Sequence, residues 1–417
     1  MNCRHCRAAL TLTFLDLGSM PLVNALLAEE ALSVAEVRYP LRVLVCESCW
    51  LVQTEDHARP DELFTADYPF FSSASASWLR HSERFVDAAI ARFGLTAASR
   101  VIEVAANDGA LLQYVRARGI PCYGIEPTAA TARTARARGL EIVEAFLGPD
   151  LARDLAAAGR QADLLVANNV LAHVPDPDGF VASIALLLRP QGVASFEFPH
   201  LLNMVQENQF DTVYHEHFSY LSLTAVEHIF AAGGLRIFDV EELPTHGGSL
   251  RVFAESAEHA HRPASARVAE LLRREQLSGV RDRAFYSDMQ ARAETVRKNF
   301  LAWLQETERA GLKVAAYGAA AKGTALLNFA DVHRDLLSFV VDINPAKQGM
   351  YLPGCRIPVV SEERLRAERP DRVVILPWNL TDEIAAQLHY IDDWGGRLVR
   401  AVPAMQEVAA EALPGRA

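Results

Sequence analysis

The segment TVYHEHFSYLS, residues 212–222, puts Tyr214, His215, Glu216 and His217 at consecutive positions. These residue types suit proton transfer. Histidine titrates near neutrality, a carboxylate orients an imidazole and favours its cationic form, and a phenol donates to a developing oxyanion. Two other readings compete. His215 and His217 would share one face of a strand and could hold a metal, but two ligands without a third make a poor site. His217 also lies among Phe218, Tyr220 and Leu221, as a packed core histidine would.

A second group is metal-binding in type. Cys3 and Cys6, then Cys46 and Cys49, form two C-x2-C knuckles. Each knuckle offers two thiolates from a tight turn, and together they complete an all-cysteine tetrahedral zinc site. With four protein ligands no position stays open for substrate, so the zinc is structural. Cys122 and Cys355 read as isolated thiols.

A third group is VIEVAANDGALL, residues 101–112. It reads as a strand ending in the acid Glu103, a tight loop, and a helix opening near Asp108 and Gly109. That is where doubly wound folds bind adenosine-bearing cofactors. Ala105 and Asn107 stand where glycines are usual. Pyrophosphate needs very close backbone approach, so the loop favours S-adenosylmethionine over a dinucleotide. Glu126, followed by Pro127, ends the next strand and is placed to accept from both ribose hydroxyls. Phe146 is placed to pack on adenine, and Asn168 to meet the methionine portion. Near the C-terminus, AYGAAAKGTALLN offers small residues at 318–321 for phosphate, with Lys322 as a point charge. Asp342 ends the following strand, where such folds carry a ribose-binding acid. His246-Gly247 is expected at a domain junction touching sugar, and Trp378-Asn379 beside the nucleotide base.

The elements that carry these groups alternate. Strand-like RVIEVAA, PCYGIEP, DLLVANN and GVASFEFP are separated by helical patterns, the signature of a buried parallel sheet. A helical stretch spans about residues 264–310. A second alternation follows through KVAAYGAA, LLSFVVDIN, DRVVILPW and GGRLVRAVP. The chain has 417 residues, 50% hydrophobic and 22% charged, which suits several domains. A net charge of -11 argues against nucleic acid as a partner. No apolar run reaches the roughly 18 residues of a membrane span, and the N-terminus lacks a signal pattern, so a cytoplasmic protein is expected.

The C-x2-C pairs, YPFFSSASASWL (68–79), EVAANDG, NNVLAHVPD (168–176), FDTVYHEHFSYLS, THGGSLRVF and AAYGAAAKGTALLN together resemble the bacterial nucleotide-sugar C-methyltransferases. The resemblance runs from Cys3 to about Val402. It implies an α/β protein with a class I S-adenosylmethionine domain over 67–242. A zinc-binding module at 1–66 and a Rossmann-like domain at 243–417 flank it, the latter binding nucleotide-sugar. It also implies His217 as general base, with Tyr214 and Glu216 beside it and His173 and Tyr68 as further catalytic residues. The implied substrate is a nucleotide-linked 4-keto-6-deoxysugar, thymidine diphosphate being the commonest carrier. Methylation is expected at carbon 3, with carbon 5 as the alternative. Two other functions stay open: an O- or N-methyltransferase on a small metabolite, and a non-catalytic nucleotide-binding zinc-ribbon protein.

Overall fold

The computed structural model describes residues 1–64 and 71–408 and contains three sheets. The first is antiparallel, in the order Leu12–Met20, Tyr39–Val45, Val52–Thr54 and Ser219–Tyr220. Leu41 and Val43 point inward while Arg42 between them is exposed, the alternation of a sheet with one wet face. Its fourth strand is the end of the segment 212–222. Before it, residues 215–216 form a turn and 217–218 are irregular, not the strand that would put His215 and His217 on one face.

The central sheet runs Leu235–Leu243, Ser249–Ser256, Leu188–Pro199, Ala162–Asn168, Val101–Val104, Cys122–Ile125, Ile142–Val143. All its pairings from Leu188–Pro199 to Ile142–Val143 are parallel, and Ser249–Ser256 is antiparallel to both neighbours. The four apolar runs read from sequence are four of the five inner strands, each followed by its helix. The closing hairpin crosses the expected 242/243 division. Leu250, Val252 and Ala254 bury themselves in the same core as Phe196 and Phe198, so this sheet extends to Ser256.

The third sheet orders Val359–Val360, Val340–Val341, Val314–Tyr317, Arg372–Ile375, Arg397–Arg400 and Gln406–Glu407, with only the last pairing antiparallel. The expected helical stretch is two helices, Ala266–Leu277 and Met289–Arg309. The first packs on strand Leu235–Leu243. The second packs on both Leu12–Met20 and Val314–Tyr317. Phe14, Tyr286, Phe300 and Val314 therefore belong to one hydrophobic cluster shared by the N-terminal and C-terminal sheets.

Glu275 joins the first of these helices to the segments around His200 and Leu223. Its carboxylate is fully buried. It accepts from His200 Nε2 at 2.7 Å and from the backbone N–H groups of Leu223 and Thr224 at 2.7 and 2.8 Å, which caps helix Leu223–Ala232. Burial pushes this carboxyl up, but the bonds from His200 and Thr224 prevail and hold it below the usual range. A depressed folded-state value stabilises the fold above the unfolded carboxylate pKa of about 4.3, and that stability is lost as pH falls through the folded value. Glu275→Ala leaves an imidazole and two helix donors buried without acceptors. The substitution should destabilise by about 3 kcal/mol, read as a lower midpoint in denaturant unfolding at neutral pH.

Candidate active site

The four knuckle cysteines converge, with all four sulfurs within 4.8 Å of one another. Cys3 and Cys49 sulfurs are 3.6 Å apart, and those of Cys6 and Cys46 3.4 Å. Tetrahedral zinc with bonds of about 2.3 Å separates sulfurs by about 3.8 Å, so the set fits zinc. The two knuckles share one geometry. Arg7 N–H donates to Cys3 O and Trp50 N–H to Cys46 O, and Arg7 and Trp50 both take positive φ.

The loop after strand Val101–Val104 keeps a glycine-type backbone without the glycines. Ala105, Asn107 and Gly109 have φ of 55°, 50° and 79°. Asparagine tolerates this region, whereas alanine there carries strain of about 1 kcal/mol. At Gly109 the positive φ strains any L side chain, and a Cβ there would also lie 2.2 Å from the end of the Leu140 side chain, so glycine suits the position. The side chains brace the loop. Ser72 N–H donates to Asn107 Oδ1 at 2.9 Å. Asp108 is held by the Ser73 hydroxyl and by Arg138 at 3.3 Å. Glu126 Oε2 accepts from Asn107 N–H, and its Oε1 is filled by Thr128 and Thr131. Room therefore remains for one further donor on Oε2, where both ribose hydroxyls were expected. Pro127 is half-buried and Phe146 is 51% exposed.

This edge fits a cationic, hydrogen-bonding donor. Glu103 Oε2 and Asn168 Oδ1 are buried with no hydrogen-bond partner among the described residues. Burial, then the charges of Glu126 and Asp108, push the Glu103 carboxyl well up. A cation arriving beside it would restore its ionised form.

His217 lies at the meeting of all three sheets. Its Nδ1 is 2.7 Å from the Thr212 carbonyl oxygen. A carbonyl only accepts, so Nδ1 carries the proton and Nε2 the lone pair. His173 is fixed in the same way, with Nδ1 2.9 Å from Glu216 O. The His217 ring centroid is 4.0 Å from that of Tyr214 and 4.7 Å from that of His173. Thr212 thus supplies the acceptor that sequence reasoning gave to Glu216. The Glu216 carboxylate instead accepts from Asn24 Nδ2 at 2.7 Å. His215 is 6% exposed and turns to the Tyr39 and Pro40 carbonyls, away from His217, which ends the two-histidine metal reading. Tyr68 lies outside the described residues.

The C-terminal sheet closes the other side. Trp378 Nε1 donates to Asp211 Oδ2 at 2.7 Å, one residue before Thr212. Lys322 Nζ lies 4.5 Å from the Trp378 ring centroid and donates to Asn379 Oδ1 at 2.7 Å. Gly247, at φ 86°, admits Trp378 so closely that a Cβ would be 2.5 Å from the indole. His246, at φ 54°, is 5.7 Å from the Trp78 ring and within 3.4 Å of the Asn169 amide. Asp342 is less available than expected, because its two oxygens accept from the N–H groups of Ala319 and Asn344 and so close the turn at 318–320. Sequence reasoning missed Asn24, Arg138, Asp211 and Trp78. Asp211 and Trp78 carried a signal, by standing in the motifs FDTVYHEHFSYLS and YPFFSSASASWL, whereas Asn24 and Arg138 carried none.

Charge is scarce here. Burial, then the facing charges of His173, Lys322 and His246, holds His217 well below its usual value. Burial lowers His173 to about 4, and burial with Lys322 lowers His246 to about 4. Burial lifts Asp211 to about 6 against the pull of Lys322 and Trp378, and lowers Lys322 itself. Burial, then Glu216, raises Tyr214, so it keeps its proton.

Family models match the chain in three blocks. These are a zinc binding domain over residues 3–64, a methyltransferase domain over 78–240, and a C-methyltransferase C-terminal domain over 244–403. The C-methyltransferase NovU of Streptomyces niveus is 35% identical over 412 residues, covering 98% of this chain and 97% of the relative. The chain belongs to the C-methyltransferase family. Its central domain has the class I fold that uses S-adenosylmethionine, and its N-terminal cysteine cluster is a zinc site. Solved structures similar to part of the chain include magnesium protoporphyrin IX methyltransferase from Synechocystis with bound SAH. It is 16% identical, with 42% of this chain and 82% of that one covered and a TM-score of 0.34. A methyltransferase from Clostridium acetobutylicum is 11% identical, with 43% and 92% covered and a TM-score of 0.34. No helix among the described residues is long and apolar enough to cross a membrane.

Two outcomes follow for this C-methyltransferase. Ala105→Gly relieves the positive-φ strain and should raise unfolding stability by up to about 1 kcal/mol while leaving donor affinity unchanged in titration calorimetry. A lowered His217 value keeps the imidazole neutral to lower pH. With His217 as the base, the role proposed below, the acidic limb of kcat/KM should therefore fall below the ordinary histidine pKa of about 6.5.

Proposed function

We propose that the chain methylates a carbon beside the ketone of a nucleotide-linked 4-keto-6-deoxysugar. Thymidine diphosphate is the carrier, carbon 3 the position and the cytoplasm the place. Carbon 5, the other neighbour of the ketone, is the alternative. The observation that carries this reading is the fixed tautomer of His217, whose free Nε2 stands beside two further proton-handling rings.

Carbon must become nucleophilic before it takes a methyl group, and a neighbouring ketone acidifies its C–H bond. His217 Nε2 removes that proton. Tyr214 donates to the enolate oxygen, and His173 and Tyr68 are the other residues of this role. S-adenosylmethionine supplies the electrophilic methyl. The backbone of the 105–109 loop, Glu103, Glu126 and Asn168 would hold the donor, with Phe146 as the residue for its adenine, and the braced loop would keep these groups in place. Lys322, Trp378, Asn379 and Asp342 hold the nucleotide, and His246-Gly247 meets the sugar. The diphosphate brings negative charge toward imidazoles that are neutral when the site is empty, and so raises their basicity when it is needed.

The test is made in heavy water with a thymidine-diphosphate 4-keto-6-deoxyhexose. Without donor the substrate should gain deuterium beside the ketone. With donor it should gain one methyl group, whose carbon is then located by NMR. His217→Asn should lower both rates about 10²–10⁴-fold. Turnover near wild type in that variant sinks His217 as base. Methyl transfer to an oxygen or nitrogen would sink the carbon chemistry.

A further inference from the structure

The zinc-binding module reaches the catalytic residues directly. Its strand Val52–Thr54 pairs with Ser219–Tyr220, and Thr54 Oγ1 donates to the carbonyl of His217 at 3.2 Å. Asn24 donates to Glu216, as described above. The most connected residue is Arg4, which stands between Cys3 and Cys6 and is only 4% exposed. Its Nη1 donates to Pro175 O at 3.0 Å, and its Nη2 to Thr54 O at 2.9 Å. Nη2 also pairs with Asp56 at 2.9 Å, and the guanidinium carbon lies 5.3 Å from the Phe218 ring centroid.

These contacts fall on both histidine-bearing segments. Pro175 lies two residues after His173, and Phe218 follows His217. One rigid planar group thus touches both chains whose imidazoles face each other at 4.7 Å. The group's root is equally fixed. Arg4 N–H donates to Gln53 Oε1 at 2.8 Å, and Gln53 Nε2 donates to Cys3 Sγ at 3.3 Å. A guanidinium fork holds two acceptors at set angles, which a flexible ammonium does not. Burying so large a cation to hold a purely structural knuckle would be an expensive choice, because a surface arginine would bind Asp56 as well.

We propose that the zinc-binding module is part of the catalytic apparatus. Arg4 is a positioning residue that sets His173 against His217, and Asn24 is a positioning residue for Glu216. The inference rests on the proposed reading of His217 as the base.

The test uses full-length wild type, Arg4→Met, Arg4→Lys and Asn24→Ala. Zinc per chain, donor affinity, and kcat and KM for exchange and methylation are measured on each. The imidazole 15N resonances of His173 and His217 are recorded in protein without substrate. Arg4→Met should keep its zinc, hold donor affinity and KM within about threefold, and lose at least about tenfold in kcat for both reactions. Its two imidazole signals should shift or broaden. Arg4→Lys should recover only part of kcat. Asn24→Ala should show the same split between kcat and KM. Unchanged imidazole signals, or kcat within twofold of wild type, overturn the inference. So does a loss of kcat that tracks zinc or donor affinity, because Arg4 would then serve only the module's own fold. The spectroscopic arm needs no substrate. A wild type that neither exchanges nor methylates overturns the proposed function alone, while the imidazole signals still decide the positioning role.

Discussion

One hydrogen bond decides which nitrogen of His217 can act as a base: the one to the Thr212 carbonyl. Much of the molecule holds that carbonyl in place. Phe210 packs edge-on against Phe329 of the C-terminal domain, with ring centroids 5.7 Å apart. Asp211 accepts from Trp378, and the Thr212 hydroxyl donates to Gln209 O. Gln209 in turn donates to Gly247 O, in the turn that presents His246. A short 3-10 turn is thus fixed from the C-terminal sheet and from the closing hairpin of the central one. Its far end, after His217, is fixed by the N-terminal sheet. No single domain could orient the imidazole alone.

The same convergence explains the electrostatics. Where three units meet, water is excluded, and desolvation dominates every shift at the site. Histidines stay neutral, tyrosine keeps its proton and a lysine is weakened. The site is basic in residue type yet carries little charge. An anionic substrate would find donors already aimed, and their protonation would respond to its arrival instead of preceding it.

The two α/β sheets were legible because parallel strands are buried on both faces and read as apolar runs. The knuckles were legible because C-x2-C spacing has one main geometric use. The closing hairpin was not, because nothing local marks IFDVEEL as the sixth strand of a distant sheet. Glycine-loop geometry was also hidden, since Ala105 and Asn107 adopt φ values that their types do not advertise. At the site, His217, Tyr214 and His173 come together as the motifs implied. Their supports did not show: Thr212 acts through its backbone, and Arg4 and Asn24 act across nearly the length of two domains. A carbonyl has no sequence signature, and long-range hydrogen bonds leave no periodicity.

The fourth strand of the N-terminal sheet has a consequence during synthesis. Strands Leu12–Met20, Tyr39–Val45 and Val52–Thr54 leave the ribosome long before Ser219–Tyr220 exists. Until then Val52–Thr54 is an open edge, with unpaired backbone groups ready to accept a foreign strand. Zinc can already close the knuckles at that stage, so the nascent chain would carry a metal-locked but unfinished sheet. The strand that finally seals it arrives with His217 two residues upstream. Protection from misassembly and completion of the catalytic centre are therefore one folding event.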